Sequence, residues 1–171
     1  MAKTRTVLSD TELIAYSQQH VRYEIQMLWG CHQLLMHGLQ SPSRPDLVLL
    51  MRNSLLESYA IHLRNLVDFL YPNIIKDSDV VADDFFPHRK RPAALPSLSS
   101  NLEQARKRAH KQVSHLTTGR LDEGDPGKIW PFHALTKEVF DLLDEFAQLA
   151  SPGKLDSSVR DYILQISKQM P

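Results

Sequence analysis

Apolar positions recur along this chain at alternating steps of four and three, the spacing of one face of an α-helix. The first such stripe is Val21, Ile25, Leu28, His32 and Leu35, with one histidine standing among the apolar residues. Ser9 or Asp10 is the natural start, and Glu12 stands at capping-box distance from Ser9. Gly38 and the polar, Pro-containing run that follows stop the segment. The helix so defined has about 28 residues and is on the order of 40 Å long.

A second helix is predicted over 45–71. Pro45 suits its first turn, Pro72 its end, and Leu55, Tyr59, Leu63, Leu66 and Leu70 form its core stripe. Residues 73–96 read as a proline-rich connection with a short turn at 78–82, pinned to the helices by Phe85 and Phe86. A third helix begins near Ser97, with Ser99 or Ser100 as alternative caps. It carries Leu102, Ala105, Ala109, Val113 and Leu116, and Gly119 suits the left-handed position that closes a helix. After a loop over 120–128, a fourth helix over 131–149 carries Leu135, Val139, Leu142, Phe146 and Leu149. A short last helix over 157–170 has Val159, Ile163 and Ile166 on one side. No strand alternation, internal repeat or low-complexity run interrupts the helical signal. The pattern predicts an all-α protein: a single domain over 1–171, with an antiparallel four-helix bundle over about 10–150, a long connection between helices two and three, and a short C-terminal helix.

Composition narrows the function classes. Twenty basic residues balance twenty acidic ones among 171, which argues against a dedicated nucleic-acid or membrane-surface binder but leaves room for transient contact with RNA. Cys31 is the one cysteine, so no internal disulfide forms, and in its helix it reads as a small hydrophobe. No signal-peptide run and no membrane-length apolar stretch is present, which predicts a cytoplasmic protein with no membrane partner. Asp77, Asp79, Asp83 and Asp84 lack the glycine and terminal glutamate of a calcium loop. His110 and His115, five apart, do not share a helix face. Neither a metal nor a cofactor is expected. His88-Arg-Lys-Arg91 reads as a short solvated basic patch, a candidate RNA contact, and Trp29 and Trp130 as core or interface aromatics.

The candidate chemistry lies near the end of helix three. Arg108 and His115, seven residues apart, fall on one stripe. A guanidinium grips phosphate and an imidazole moves a proton near neutral pH, so the pair makes a candidate phosphodiester-handling site. Lys111 and Arg120 stand nearby. On helix two, His62, Asn65 and Asp68 complete such a site if they face helix three; His62 reads equally as a half-buried core histidine, and Arg64 and Asp68 as an i, i+4 pair. The plain alternative for Arg108 and His115 is a wet helix edge, or an edge pressed against a partner.

Three features together resemble the HEPN superfamily of small bacterial helical bundles. They are the four helices with a long second connection, the arginine and histidine separated by six residues, and the stretches KQVSHLTTGR (111–120) and ESYAIHLRNLVDFLY (57–71). Ala109, directly after Arg108, departs from the polar residue that the family's motif carries there. The resemblance implies metal-independent RNA cleavage by a homodimer, in a toxin–antitoxin or phage-defence setting with an antitoxin or other protein partner. Arg108 would hold the scissile phosphate and His115 would serve as general acid or base. The competing expectation is a non-catalytic, degenerate relative that dimerises or docks a partner. A small-molecule-binding bundle has nothing in its favour beyond the general availability of interhelical pockets.

Overall fold

The computed structural model describes residues 5–38, 44–114 and 130–170, and for 111–114 only the helical backbone. Ser9 opens the first helix as a full capping box. Its Oγ accepts the Glu12 amide at 3.3 Å, and its own amide donates to Glu12 Oε2 at 2.7 Å. That hydrogen bonding holds the Glu12 carboxyl below its ordinary pKa. The rod runs from α1 (Asp10–Tyr16) through a π-helical turn (Ser17–Val21) into α2 (Arg22–His37) without leaving helical backbone angles. Buried Ser17 marks the turn. Its Oγ donates back to the Ile14 carbonyl at 2.8 Å and accepts the Asp156 amide at 3.1 Å, so the widened turn is tied to a distant part of the chain. Gly38 ends the rod at φ +79°, a conformation that suits glycine.

The remaining helices are α3 (Pro45–Leu70), α4 (Ser100–Ser114), α5 (Phe132–Leu149) and α6 (Ser157–Ser167). Among the described residues the structure is all-helical, with no strand. Ser99 is the cap of α4, its Oγ accepting the Leu102 amide at 3.1 Å. Asp156 caps α6 through the amides of Ser158 and Val159. The final helix stops at Ser167, short of the predicted residue 170, and the turn after it tucks Met170 into the core. Gly119, Leu116 and the predicted loop over 120–128 lie outside the described residues.

α2 packs on α3, α3 on α4, all three on α5, and α5 on α6. The predicted stripes supply the interior: Ile25 and Leu28, then Tyr59, Leu63 and Leu66, then Leu102, Val139, Phe146 and Ile163, are all fully or almost fully buried. Tyr59 Oη, in the middle, shares a 3.0 Å hydrogen bond with Thr136 Oγ1. Burial pushes its pKa far above the usual phenol value. Cys31 is buried as a small hydrophobe.

The connection between α3 and α4 departs from expectation in two ways. Its helical turns lie at Ala82–Phe85 and Pro87–Arg89, not at 78–82. The basic run at 88–91 is solvated only in part: His88 and Lys90 are exposed, while Arg89 and Arg91 are half-buried. Arg89 reaches the Leu8 carbonyl at 2.6 Å and Asp84 at 3.4 Å, while Arg91 pairs with Asp83 at 2.8 Å and covers the Tyr71 ring. The reason is Asp84, which is buried. Its carboxylate accepts from Arg5, from Arg89 and from the Val81 amide, and buried Lys154 donates to the carbonyls of Asp84 and Phe86. A buried carboxylate recruits cations from neighbouring chain, and here it draws the basic run inward. His88 and Arg89 take positive φ (53° and 54°) to complete that turn. Phe85 and Phe86, both fully buried, then meet Phe146 edge-to-face at 5.7 and 5.8 Å, as the sequence anticipates.

Replacing the hub residue, Asp84→Asn, is expected to lower unfolding stability by about 3 kcal/mol, because two buried-facing guanidiniums, those of Arg5 and Arg89, lose the charge of their shared acceptor. Urea denaturation followed by circular dichroism measures this. A loss within the ordinary surface range of about 0.5 kcal/mol would show that the network carries no weight.

Candidate functional site

Among the described residues a cleft of about 880 Å³ opens beside α3, within the roughly 300–1,000 Å³ range of small-molecule sites. Its walls come from four pieces of chain. Tyr16, His20 and Val21 come from α1 and the π-turn, Glu24 from α2, and Arg64, Asn65, Asp68 and Phe69 from α3. Arg106, Lys107 and His110 come from α4, and Ile74, Lys76, Asp79 and Val80 from the connection. Local unwinding of the rod therefore sits in the cleft wall, a common association for π-turns.

One end of the cleft is a polar cluster. Glu24 Oε2 accepts from His62 Nδ1 at 2.7 Å and from Asn65 Nδ2 at 3.1 Å, a bridge from α2 to α3. The other end is built around Arg106, which is buried. It donates to the Tyr71 carbonyl at 2.7 Å, to Asn73 Oδ1 at 2.8 Å, to Asp68 at 3.4 Å and to Glu103. Between them Arg64 approaches Asp68 at 4.0 Å, so the expected i, i+4 pair forms at the limit of contact. Partial removal from water raises the Asp68 carboxyl pKa against the pull of Arg106 and Arg64. Tyr16 is raised as well, first by burial and then by the nearby Glu24 and Asp79 charges.

The predicted site residues are divided by this arrangement. Asn65 lines the cleft, and His62, buried and hydrogen-bonded, stands behind it through Glu24. Arg108 is two residues from Arg106, about 200° around α4, and faces the other way. Its guanidinium lies 4.4 Å over the ring of Trp130, a cation–π contact. Trp130 in turn packs edge-on against Tyr59. His62, Asn65 and Asp68 thus do not face Arg108; Asp68 meets Arg106 instead. His115 and Arg120 lie outside the described residues, as does the side chain of Lys111. Among the described residues no group of three or more His, Cys, Asp or Glu could hold a metal ion, and no helix is long and apolar enough to cross a membrane.

Sequence reasoning missed Arg106, Glu24 and Lys76. Arg106 had a signal. It stands one turn after Leu102 on the buried stripe, where a cation must find acceptors.

The α2–α3 hairpin carries a second feature at the end nearest residues 39–43. Leu47, Leu49, Leu50 and Met51 are exposed, as are Leu34 and Met36 near the end of α2; Leu49 and Leu50 show 61% and 62% of their surface. Residues 47–51 are five successive apolar residues, so that turn is apolar all the way round, a character that belongs to a buried helix.

The chain matches no family model, no curated protein and no solved structure.

His32 is an unpartnered polar group in the interior. It is 5% exposed and has no hydrogen bond on either ring nitrogen, and its ring stacks on Trp29 and lies 5.9 Å from that of His133. Burial first, then the His133 and His37 charges, lower its pKa. The folded state therefore favours the neutral imidazole while the unfolded chain takes a proton near pH ~6.5. The stability from this group is complete above that value and is lost as pH falls below it. Urea midpoints at pH 7.5 and 5.5 should show a steeper acid loss for the native protein than for His32→Leu; parallel losses would refute the assignment.

Proposed function

We propose that the chain is a HEPN-like antiparallel four-helix bundle that works as a helical interaction module, pairing with a second copy through the open end of its α2–α3 hairpin. The observation that carries this reading is the exposed apolar turn at 47–51, with exposed Leu34 and Met36 in the last turn of α2. Leu47, Leu50 and Met51 share one face of α3, and half-covering three such side chains is worth about 3 kcal/mol per copy, hence about 6 for a two-fold pair in which each copy offers the same patch. This compares with an association cost on the order of 4–15 kcal/mol, which suits a reversible dimer. α4 runs antiparallel to α3: Arg106 meets Tyr71 and Asp68, while Arg108, further along, meets Trp130 beside Tyr59. The C-terminal end of α4 therefore points toward the same end of the molecule as the apolar turn. Pairing there brings the ends of two α4 helices near one another.

That geometry favours one second reading, a metal-independent ribonuclease of the toxin or phage-defence type. In it Arg108 binds the RNA phosphate, His115 transfers the proton, and Lys111 and Arg120 add charge at a cleft shared by two subunits. The basic character of α4 around Arg108, with Lys107 and His110 beside it, supports it. A protein partner such as an antitoxin suits either reading, and a cytoplasmic location follows from both.

Light scattering on the eluting protein should give twice the chain mass at micromolar concentration, and Leu49→Glu/Leu50→Glu should run as a monomer with unchanged helix content. A monomeric native protein would overturn the pairing. Separately, labelled RNA incubated in EDTA with native protein and with His115→Ala decides the second reading. Cutting by the native protein alone supports it, and equal results from both proteins oppose it.

A further inference from the structure

The cleft has a charge asymmetry that the dimer reading does not use. Its carboxylates already face protein donors: Glu24 faces His62 and Asn65, Asp68 faces Arg106 and Arg64, and Asp79 Oδ2 faces the Lys76 amide at 2.8 Å. The spare capacity lies with the donors. Lys76 Nζ has no ion-pair partner among the described residues, and Arg64, which lines the cleft, makes only contacts at the limit of reach, to Asp68 at 4.0 Å and to Asn65 Oδ1 at 3.5 Å. His20, whose ring rests against Tyr16, lines the same wall. Between these polar edges the surface is apolar, formed by Val21, Leu66, Phe69 and Val80, and Ile74, 79% exposed, makes an apolar lip. A wholly apolar ligand would leave the cations unused, and a bare inorganic anion would leave the apolar floor wet.

We propose that this cleft binds a small organic anion, a carboxylate or phosphate monoester on an aromatic-sized apolar body, with Arg64 and Lys76 gripping the charge and Val21, Phe69 and Val80 packing the body. Arg106 and Glu24, also in the walls, hold α3 to α4 and to α2 through their hydrogen bonds. Bidentate guanidinium contact suits either anion, since both present paired oxygens. Ile74 and Val80 belong to the connection held by Asp84, so the site exists only where that segment is docked.

The probe is 8-anilinonaphthalene-1-sulfonate, an aromatic body with one anionic group, titrated by fluorescence into the full chain. One saturable site per chain is expected. Lys76→Gln and Arg64→Gln should each weaken it about tenfold, the usual effect of losing a charged hydrogen-bond donor. Val80→Trp, which fills the cleft without changing charge, should abolish it, and Leu49→Glu/Leu50→Glu at the hairpin end should leave it unchanged. Thermal melts confirm that each variant is folded. Phenyl phosphate and benzoate then compete: displacement by the first alone assigns a phosphate site, by the second alone a carboxylate site, and by both a general anion site. Non-saturable binding, binding indifferent to Lys76→Gln and Val80→Trp, or displacement by trimethylanilinium, a cation of like size, would overturn the proposal. Loss of binding in the Leu49→Glu/Leu50→Glu variant alone would place the probe at the hairpin end and also overturn it.

Discussion

The buried carboxylate of Asp84 is the constraint on which the arrangement of this molecule rests. It gathers Arg5 from the N-terminal segment, Arg89 from its own connection and the Val81 amide, while Lys154 closes over the adjoining carbonyls. A charge removed from water is tolerated only when its oxygens are engaged. Satisfying Asp84 therefore fixes where the N-terminal segment, the connection itself and the segment around Lys154 must lie. Phe85 and Phe86 are carried into the interior by the same geometry, where they seal the end of α5 at Phe146. The wall of the cleft formed by Ile74, Lys76 and Val80 is a continuation of that docked segment. The carbonyl of Asp79, which also lines the cleft, is gripped by Arg5 at 3.2 Å.

α4 shows how one helix presents different chemistry on opposite sides. Leu102, Ala105 and Ala109 bury one stripe, Arg106 reaches from that stripe's flank to the end of α3, and Arg108 leans on Trp130. The two arginines are close in sequence yet serve separate neighbourhoods, because two residues of helix turn a side chain through more than half a circle. A cleft beside α3 and a cation–π face beside α5 follow from this. A proposed pairing of two copies would engage neither of them directly, since the apolar turn lies at the hairpin's open end.

Much of the fold was legible in the chain. The steps of three and four located each helix, the Ser9–Glu12 box and Gly38 marked the ends of the first, and Phe85 and Phe86 were recognisable as anchors. Those signals are local: each depends on residues within a few turns of one another. The engagement of Arg89 and Arg91 within the otherwise exposed run at 88–91 is not legible, for the opposite reason. The run's side chains are polar, and nothing in their immediate neighbourhood reveals that Asp83 and Asp84 turn inward. The candidate site was only partly legible. Asn65 was placed toward a neighbouring helix and His62 toward the interior, but their common partner Glu24 is some forty positions away. Arg106 carried a visible signal on the buried stripe that the more suggestive Arg108 and His115 spacing obscured.

By itself, then, the sequence determined the helical elements, their ends and their buried faces, because periodicity, capping and backbone preference act over a few residues. It also determined a balanced charge and a single thiol. Tertiary structure alone decided which polar side chains meet. The rotation of α4 against α3 chose Arg106 over Arg108 as the partner of Asp68, and the docking of the connection turned Arg89 and Arg91 inward and raised a wall beside the π-turn. Such meetings depend on long-range packing, where a hundred degrees of helix rotation exchanges one neighbour for another, and no local pattern records that angle.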